Sequence, residues 1–170
     1  MAYSPSNLLV TEMTVDTLAF YHDVVLKHSR DPRGFGTLVN YTHAADTVNA
    51  LCGDRLRVEA NCAGGSIAEL RFSGEACAIS IASASMMSEA VVGNNATEVF
   101  TLFTLFSRFI ARECDGASLP VNLRCFSPLR HHAARRDCAL LPWTTLLAAL
   151  APGDSLSNGA KHGTATSGVA

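Results

Sequence analysis

The chain has 170 residues, 48% of them hydrophobic and 16% charged, with a formal net charge of −2 at neutral pH. That length suits one ordinary domain able to bury a core without staples, and that charge gives no electrostatic reason to expect nucleic acid as a partner. The longest apolar stretches, such as residues 146–151, are far too short to span a membrane. The start of the chain shows no basic segment leading into an apolar run, so no signal peptide is expected and the cytoplasm is the expected compartment. There the six cysteines, at positions 52, 62, 77, 114, 125 and 138, read as thiols or ligands rather than disulfides. They form no Cys-x-x-Cys pair, so a metal site has to be assembled from distant parts of the chain.

Residues 1–15 read as a flexible N-terminus, 16–151 as a single domain, and 152–170, rich in Gly, Ser, Ala and Thr, as a disordered tail. A helix is expected from Asp16, its N-cap, with Leu18, Tyr21, Val24, Val25 and His28 on one face. Asp31-Pro32 and Gly34 end it, and His22 and His28 are read as solvated helix surface. Residues 42–48 form a weak strand candidate. Arg55–Ala60 and Ser66–Phe72 alternate apolar with charged residues around an Ala63-Gly64-Gly65 turn, which predicts a hairpin with one wet and one covered face.

Cys77 stands where the last strand gives way to a helix with Ile79, Ala82, Met86 and Ala90 at helical spacing. Its many Ala and Ser residues allow close packing, and Met86 and Met87 read as core rather than ligands. Thr97 is the expected cap of a third helix, whose Val99, Leu102, Phe103, Phe106 and Ile110 predict a stripe lying on the sheet. Residues 115–130 read as a connector, and the basic cluster of Arg130, His131, His132, Arg135 and Arg136 as a solvated face. A final helix is expected from Cys138 to Leu150, with Pro142 tolerated in its first turn. The fold class is therefore α+β: a small three-stranded antiparallel sheet covered on one face by helices.

The chemistry gathers at Cys52-Gly53-Asp54, a thiolate and a carboxylate two residues apart, with a glycine that lets both turn to one centre. Cys77 and Cys138, at expected helix N-termini, are predicted to be more acidic than free cysteine. Cys52, Asp54, Cys77 and Cys138 together suit a tetrahedral zinc site. Four such anions around a divalent ion leave a net charge of about −2, which Arg135 and Arg136 are expected to offset. Cys62, Cys114 and Cys125 are assigned to structure.

Tyr21–His28 followed by Asp31-Pro32-Arg33-Gly34-Phe35-Gly36, Leu51–Leu56, Gly74–Met87 and Cys138–Trp143 resemble segments of the IscU/SufU (NifU N-terminal-like, SufE/NifU-like fold) family of iron–sulfur cluster assembly proteins. The resemblance spans about residues 17–150. It implies that Cys52, Asp54, Cys77 and Cys138 hold a metal ion, or that Cys52, Cys77 and Cys138 hold an iron–sulfur cluster. Asp137 stands where the IscU branch has a histidine, and the span between the second and third cysteines is long; both features resemble the zinc-bound SufU branch.

That branch implies a sulfurtransferase-like, zinc-dependent sulfur acceptor. Cys52 takes persulfide sulfur from a SufS-like cysteine desulfurase, Arg135 modulates the site, and a downstream scaffold or apoprotein receives the sulfur. The alternative is a scaffold on which a [2Fe–2S] cluster is assembled and transferred. A third reading makes zinc a mere staple of the fold. Ala50 and Ala76 depart from a usual proline and glycine, and Asp137 is expected to raise the Cys138 pKa or compete as a ligand. His131 and His132 are spare ligands, read as surface or desulfurase contacts. Cys125 as third ligand in place of Cys138 is set aside, because the residues after Cys138 match the family and those after Cys125 do not.

Overall fold

Alternating apolar residues build the sheet that carries everything else. In a computed structural model, which describes residues 22–151, three antiparallel strands run in the order β1 (His43–Asn49), β2 (Asp54–Ala63) and β3 (Ser66–Glu75). The expected N-terminal segment, the Asp16 cap with Leu18 and Tyr21, and the tail from 152 lie outside the described residues. Val58 pairs with Phe72 and Ala60 with Leu70, so their side chains share one face, and all four are buried. Gly74 lies opposite Leu56 with a φ of +136°, where a Cβ would collide with the Arg55 carbonyl.

The other face is only partly wet. Glu59, expected to face water, is buried: it accepts the Leu38 amide at 2.8 Å and the Arg57 guanidinium at 2.9 Å. The segment before β1 folds back to cover it, with Gly34 and Gly36 bonded to the Phe72 backbone at 2.9 and 2.8 Å. A carboxylate given two donors tolerates that cover.

Helices take the opposite face. Helix α1 occupies described residues 22–30, α2 Ala78–Val91, α3 Ala96–Ile110 and α4 Ala133–Ala149, with a 3-10 segment at Leu123–His131. Helix α4 lies along β1 and β2, and α2 packs along α4 with contacts to β3. Met86 and Met87 are fully buried core residues, as their type suggested. Among the described residues no helix is long and apolar enough to cross a membrane.

Four further expectations need correction. Helix α3 packs chiefly on α4 and the 3-10 segment rather than on the sheet, with Phe106 against Phe126 and Trp143 at centroid distances of 5.7 and 5.4 Å. Its cap is Asn95, not Thr97: the Asn95 side chain accepts the Glu98 amide at 3.0 Å while Glu98 accepts the Asn95 amide at 2.8 Å. Helix α4 begins five residues before Cys138, which places Cys138 in its second turn and Pro142 in its interior. His28 is half-buried rather than simply solvated, its Nδ1 lying 2.8 Å from the buried Ser85 hydroxyl.

Candidate metal centre

Asn49 and Asp54 face each other in register, so residues 50–53 form a four-residue connection between β1 and β2. The Gly53 amide donates to the Asn49 carbonyl at 2.8 Å, and the φ of +75° at Gly53 is a left-handed turn that glycine adopts without strain. That turn leaves Cys52 exposed at the tip and Asp54 buried at the base.

Asp54 then serves helix α2. Cys77 is the N-cap of that helix and has no side-chain capping bond of its own. Asp54 supplies one from the sheet: Oδ1 accepts the Cys77 amide at 2.9 Å and Oδ2 accepts the Ser80 hydroxyl at 2.6 Å. Burial works against its negative charge, but donors from Ser80, Cys77 and Cys52 outweigh that and hold its pKa below the ordinary value.

Cys138 reaches the same point from α4. Its Sγ lies 3.8 Å from Cys52 Sγ, and the donor atoms of Cys52, Asp54 and Cys138 all lie within 4.8 Å of one another. A tetrahedral ion with metal–sulfur bonds of about 2.3 Å holds two thiolates roughly 3.8 Å apart, so the thiol pair has the spacing of a zinc edge. The expected acidity of Cys138 is not found. Burial, then the neighbouring Cys77 and Cys52 sulfurs, push its thiol up to about 12. Away from the helix N-terminus it lacks the free amides that would favour a thiolate. A cation among these donors reverses that balance.

The remaining candidates separate. Cys77 borders the three mutually close donors, with its Sγ 3.5 Å from Ser80 Oγ. Asp137 is exposed and lines a pocket beside the site with Val48, Asn49, Ala50, Leu140, Leu141 and Thr144; neither it nor His131 or His132, both exposed, joins the donor group. Asp137 is also not among the groups that raise Cys138. Arg135 is exposed in the first turn of α4. Arg136, expected to offset charge at the site, instead donates to the Leu129 and Arg130 carbonyls at the end of the 3-10 segment.

Cys125 is fully buried, its thiol pushed up to about 12 by burial. Burial also raises Cys62, and the half-buried Cys114 thiol reaches the Leu105 carbonyl at 3.8 Å. Ser80 was missed. It is fully buried and touches Asp54, Cys77 and the Cys138 carbonyl, the last at 2.9 Å. The signal for it was a serine three residues after the helix-capping cysteine, hidden among the other small residues of α2.

The NifU-like N terminal domain family matches residues 20–151. The zinc-dependent sulfurtransferase SufU of Bacillus subtilis is 33% identical over 133 residues, covering 78% of this chain and 88% of its own. The iron–sulfur cluster assembly scaffold protein IscU of Thermotoga maritima is 28% identical, covering 76% of this chain and 92% of its own. A crystal structure of a proposed SUF-system assembly scaffold from Fervidobacterium islandicum superposes with a TM-score of 0.71 at 24% identity, covering 78% of this chain and 98% of that one, a likeness of fold. With that fold, and with thiols and a carboxylate brought together from three separate elements, the chain belongs to the NifU-like N-terminal domain family, as an iron–sulfur cluster assembly protein of the SufU/IscU type.

Proposed function

We propose that this protein is a zinc-dependent sulfur acceptor, with zinc held by Cys52, Asp54, Cys77 and Cys138 and with Cys52 as the thiol that takes the sulfur. The observation that carries this reading is the contrast in burial within the donor group: Cys52 is exposed at a loop tip, whereas Asp54 and Cys138 are buried in fixed elements. Cys77 is half-buried, so Cys52 is the thiol most open to a donor protein. When bound, zinc supplies a thiolate at neutral pH.

The Cys52 thiolate attacks the terminal sulfur of a persulfide on a SufS-like cysteine desulfurase. A new sulfur–sulfur bond forms on Cys52, the desulfurase persulfide bond breaks, and the desulfurase cysteine leaves as its thiolate. No net oxidant is consumed. Asp54, Cys77 and Cys138 keep the centre in place meanwhile, and the exposed Arg135 modulates exchange at it. The sulfur then passes to a downstream scaffold or apoprotein.

A second reading makes the protein a scaffold on which Cys52, Cys77 and Cys138 hold a [2Fe–2S] cluster. It is favoured by the third thiol, Cys77, at the rim of the donor group, and by the similarity to IscU.

The test is to incubate the zinc-loaded protein with its desulfurase and cysteine and then locate bound sulfur by mass spectrometry. One added sulfur on Cys52, and loss of desulfurase stimulation in a folded Cys52→Ala variant, are expected. Full stimulation by Cys52→Ala overturns the acceptor role. A stable, transferable cluster after anaerobic reconstitution, with no sulfur on Cys52, establishes the scaffold instead.

A further inference from the structure

We propose that Ser80 is a positioning residue of the metal centre, its buried hydroxyl replacing a backbone donor that Pro142 removes and tying the Cys138 main chain to the Asp54 carboxylate. The inference rests on the reading above that Asp54 and Cys138 hold the metal.

Pro142 is the tenth residue of α4. An interior proline has no N–H for the carbonyl four residues earlier and crowds that carbonyl with its ring. Here that carbonyl belongs to Cys138. It is buried, so water cannot easily replace the lost donor, and an unpaired buried carbonyl is costly. Ser80 Oγ lies 2.9 Å from it. One turn along α2, Ser83 Oγ lies 2.6 Å from the next carbonyl, that of Ala139. Residues three apart lie on one side of a helix, so two serines of α2 serve the opened turn of α4.

The two serines differ in what else they touch. Ser83 accepts the Trp143 indole N–H at 3.1 Å and meets none of the ligands. Ser80 lies 2.6 Å from Asp54 Oδ2 and 3.5 Å from Cys77 Sγ. Its single proton is divided between a carboxylate and a carbonyl, and the same oxygen is in contact with the Cys77 sulfur. One hydroxyl therefore stands behind Asp54, Cys77 and Cys138, on three different elements, and not behind the exposed Cys52. This matches a division of the site into three fixed donors and one that is free to leave. Ser83 is the internal control, equal in packing but remote from the donors.

The experiment measures zinc affinity by competition with a chromophoric chelator, alongside urea unfolding of the zinc-free protein, for native protein, Ser80→Ala, Ser83→Ala and Pro142→Ala. Groups that orient metal ligands typically contribute roughly 10- to 100-fold in affinity. Ser80→Ala is expected to weaken zinc binding by about that factor, while Ser83→Ala lowers the unfolding midpoint and leaves zinc affinity within about twofold. Pro142→Ala restores an amide to the Cys138 carbonyl, so removing Ser80 in that background is expected to cost less stability than in the native chain.

If Ser80→Ala alone does not fold, the Ser80→Ala/Pro142→Ala double variant is expected to fold and to bind zinc more weakly than Pro142→Ala. A double variant that stays unfolded, or binds zinc as tightly as Pro142→Ala, overturns the proposal. So does equal zinc affinity in native protein and Ser80→Ala, or an equal loss in Ser80→Ala and Ser83→Ala. A native protein that binds no zinc overturns the metal reading itself, a result distinguishable from tight native binding that Ser80→Ala leaves unchanged.

Discussion

Asp54 does two jobs with one carboxylate. It presents an oxygen to the donor group and it caps α2 from outside the helix, through the Cys77 amide and the Ser80 hydroxyl. The second job is independent of any metal. Asp54→Ala leaves a part-buried amide and a buried hydroxyl without their charged acceptor, and hydrogen bonds to charged groups contribute about 1.5–3 kcal/mol each. The zinc-free variant should lose about 3 kcal/mol in urea unfolding; a loss near zero would show that the cap adds nothing. At Cys52 the expectation is the reverse. The residue is exposed, so Cys52→Ala in zinc-free protein should unfold within about 0.5 kcal/mol of native, and a larger loss there would show that the Cys52 side chain itself supports the fold.

Among the elements, the start of α3 shows how a cap is chosen. Asn95 and Glu98 satisfy each other's amides across the first turn, and Thr97 already lies inside the helix, bonding through its carbonyl to Thr101. Asn95→Ala should cost about 1 kcal/mol and Thr97→Ala less than about 0.5 kcal/mol, read by thermal or urea unfolding; equal costs would refute the capping box. The Asn95-to-Glu98 spacing was present in the sequence, but a threonine beside an apolar stripe offered a competing start. The start of α4 was harder to read. Arg135, Arg136 and Asp137 resemble a solvated loop, and Pro142 resembles a first-turn residue. In the structure the turn before Pro142 is met by two serines of α2, whose hydroxyls donate to the Cys138 and Ala139 carbonyls.

At the scale of the molecule, α1 is fastened to the core through α2. Ser85 receives the Arg33 amide at 2.8 Å and lies 2.8 Å from His28 Nδ1. Burial lowers the His28 pKa from 6.5, with Arg33 and Lys27 adding to the effect and Glu89 opposing it. A folded value below the unfolded one means that protons favour the unfolded chain. This contribution to stability is present in full above pH 6.5 and is lost as pH falls through the lower folded value. Urea midpoints measured downward from pH 6.5 should fall more steeply for native protein than for His28→Asn; parallel slopes would remove His28 from the account.

The three strands, the hairpin and the candidate residues Cys52, Asp54 and Cys77 could be read in the chain because each is encoded locally. Alternation fixes a strand face, glycines fix turns, and a cysteine at a strand-to-helix junction becomes a cap. The burial of Glu59, the packing of α3 on α4 and the bond from His28 to Ser85 were decided only by tertiary structure, since each depends on a segment distant in sequence. The 3.8 Å approach of Cys138 to Cys52 joins residues 86 apart in the chain, and resemblance had anticipated it where periodicity could not. The acidity expected of Cys138 failed for the same reason: a pKa is set by everything that surrounds the sulfur, and the sequence shows only its neighbours along the chain.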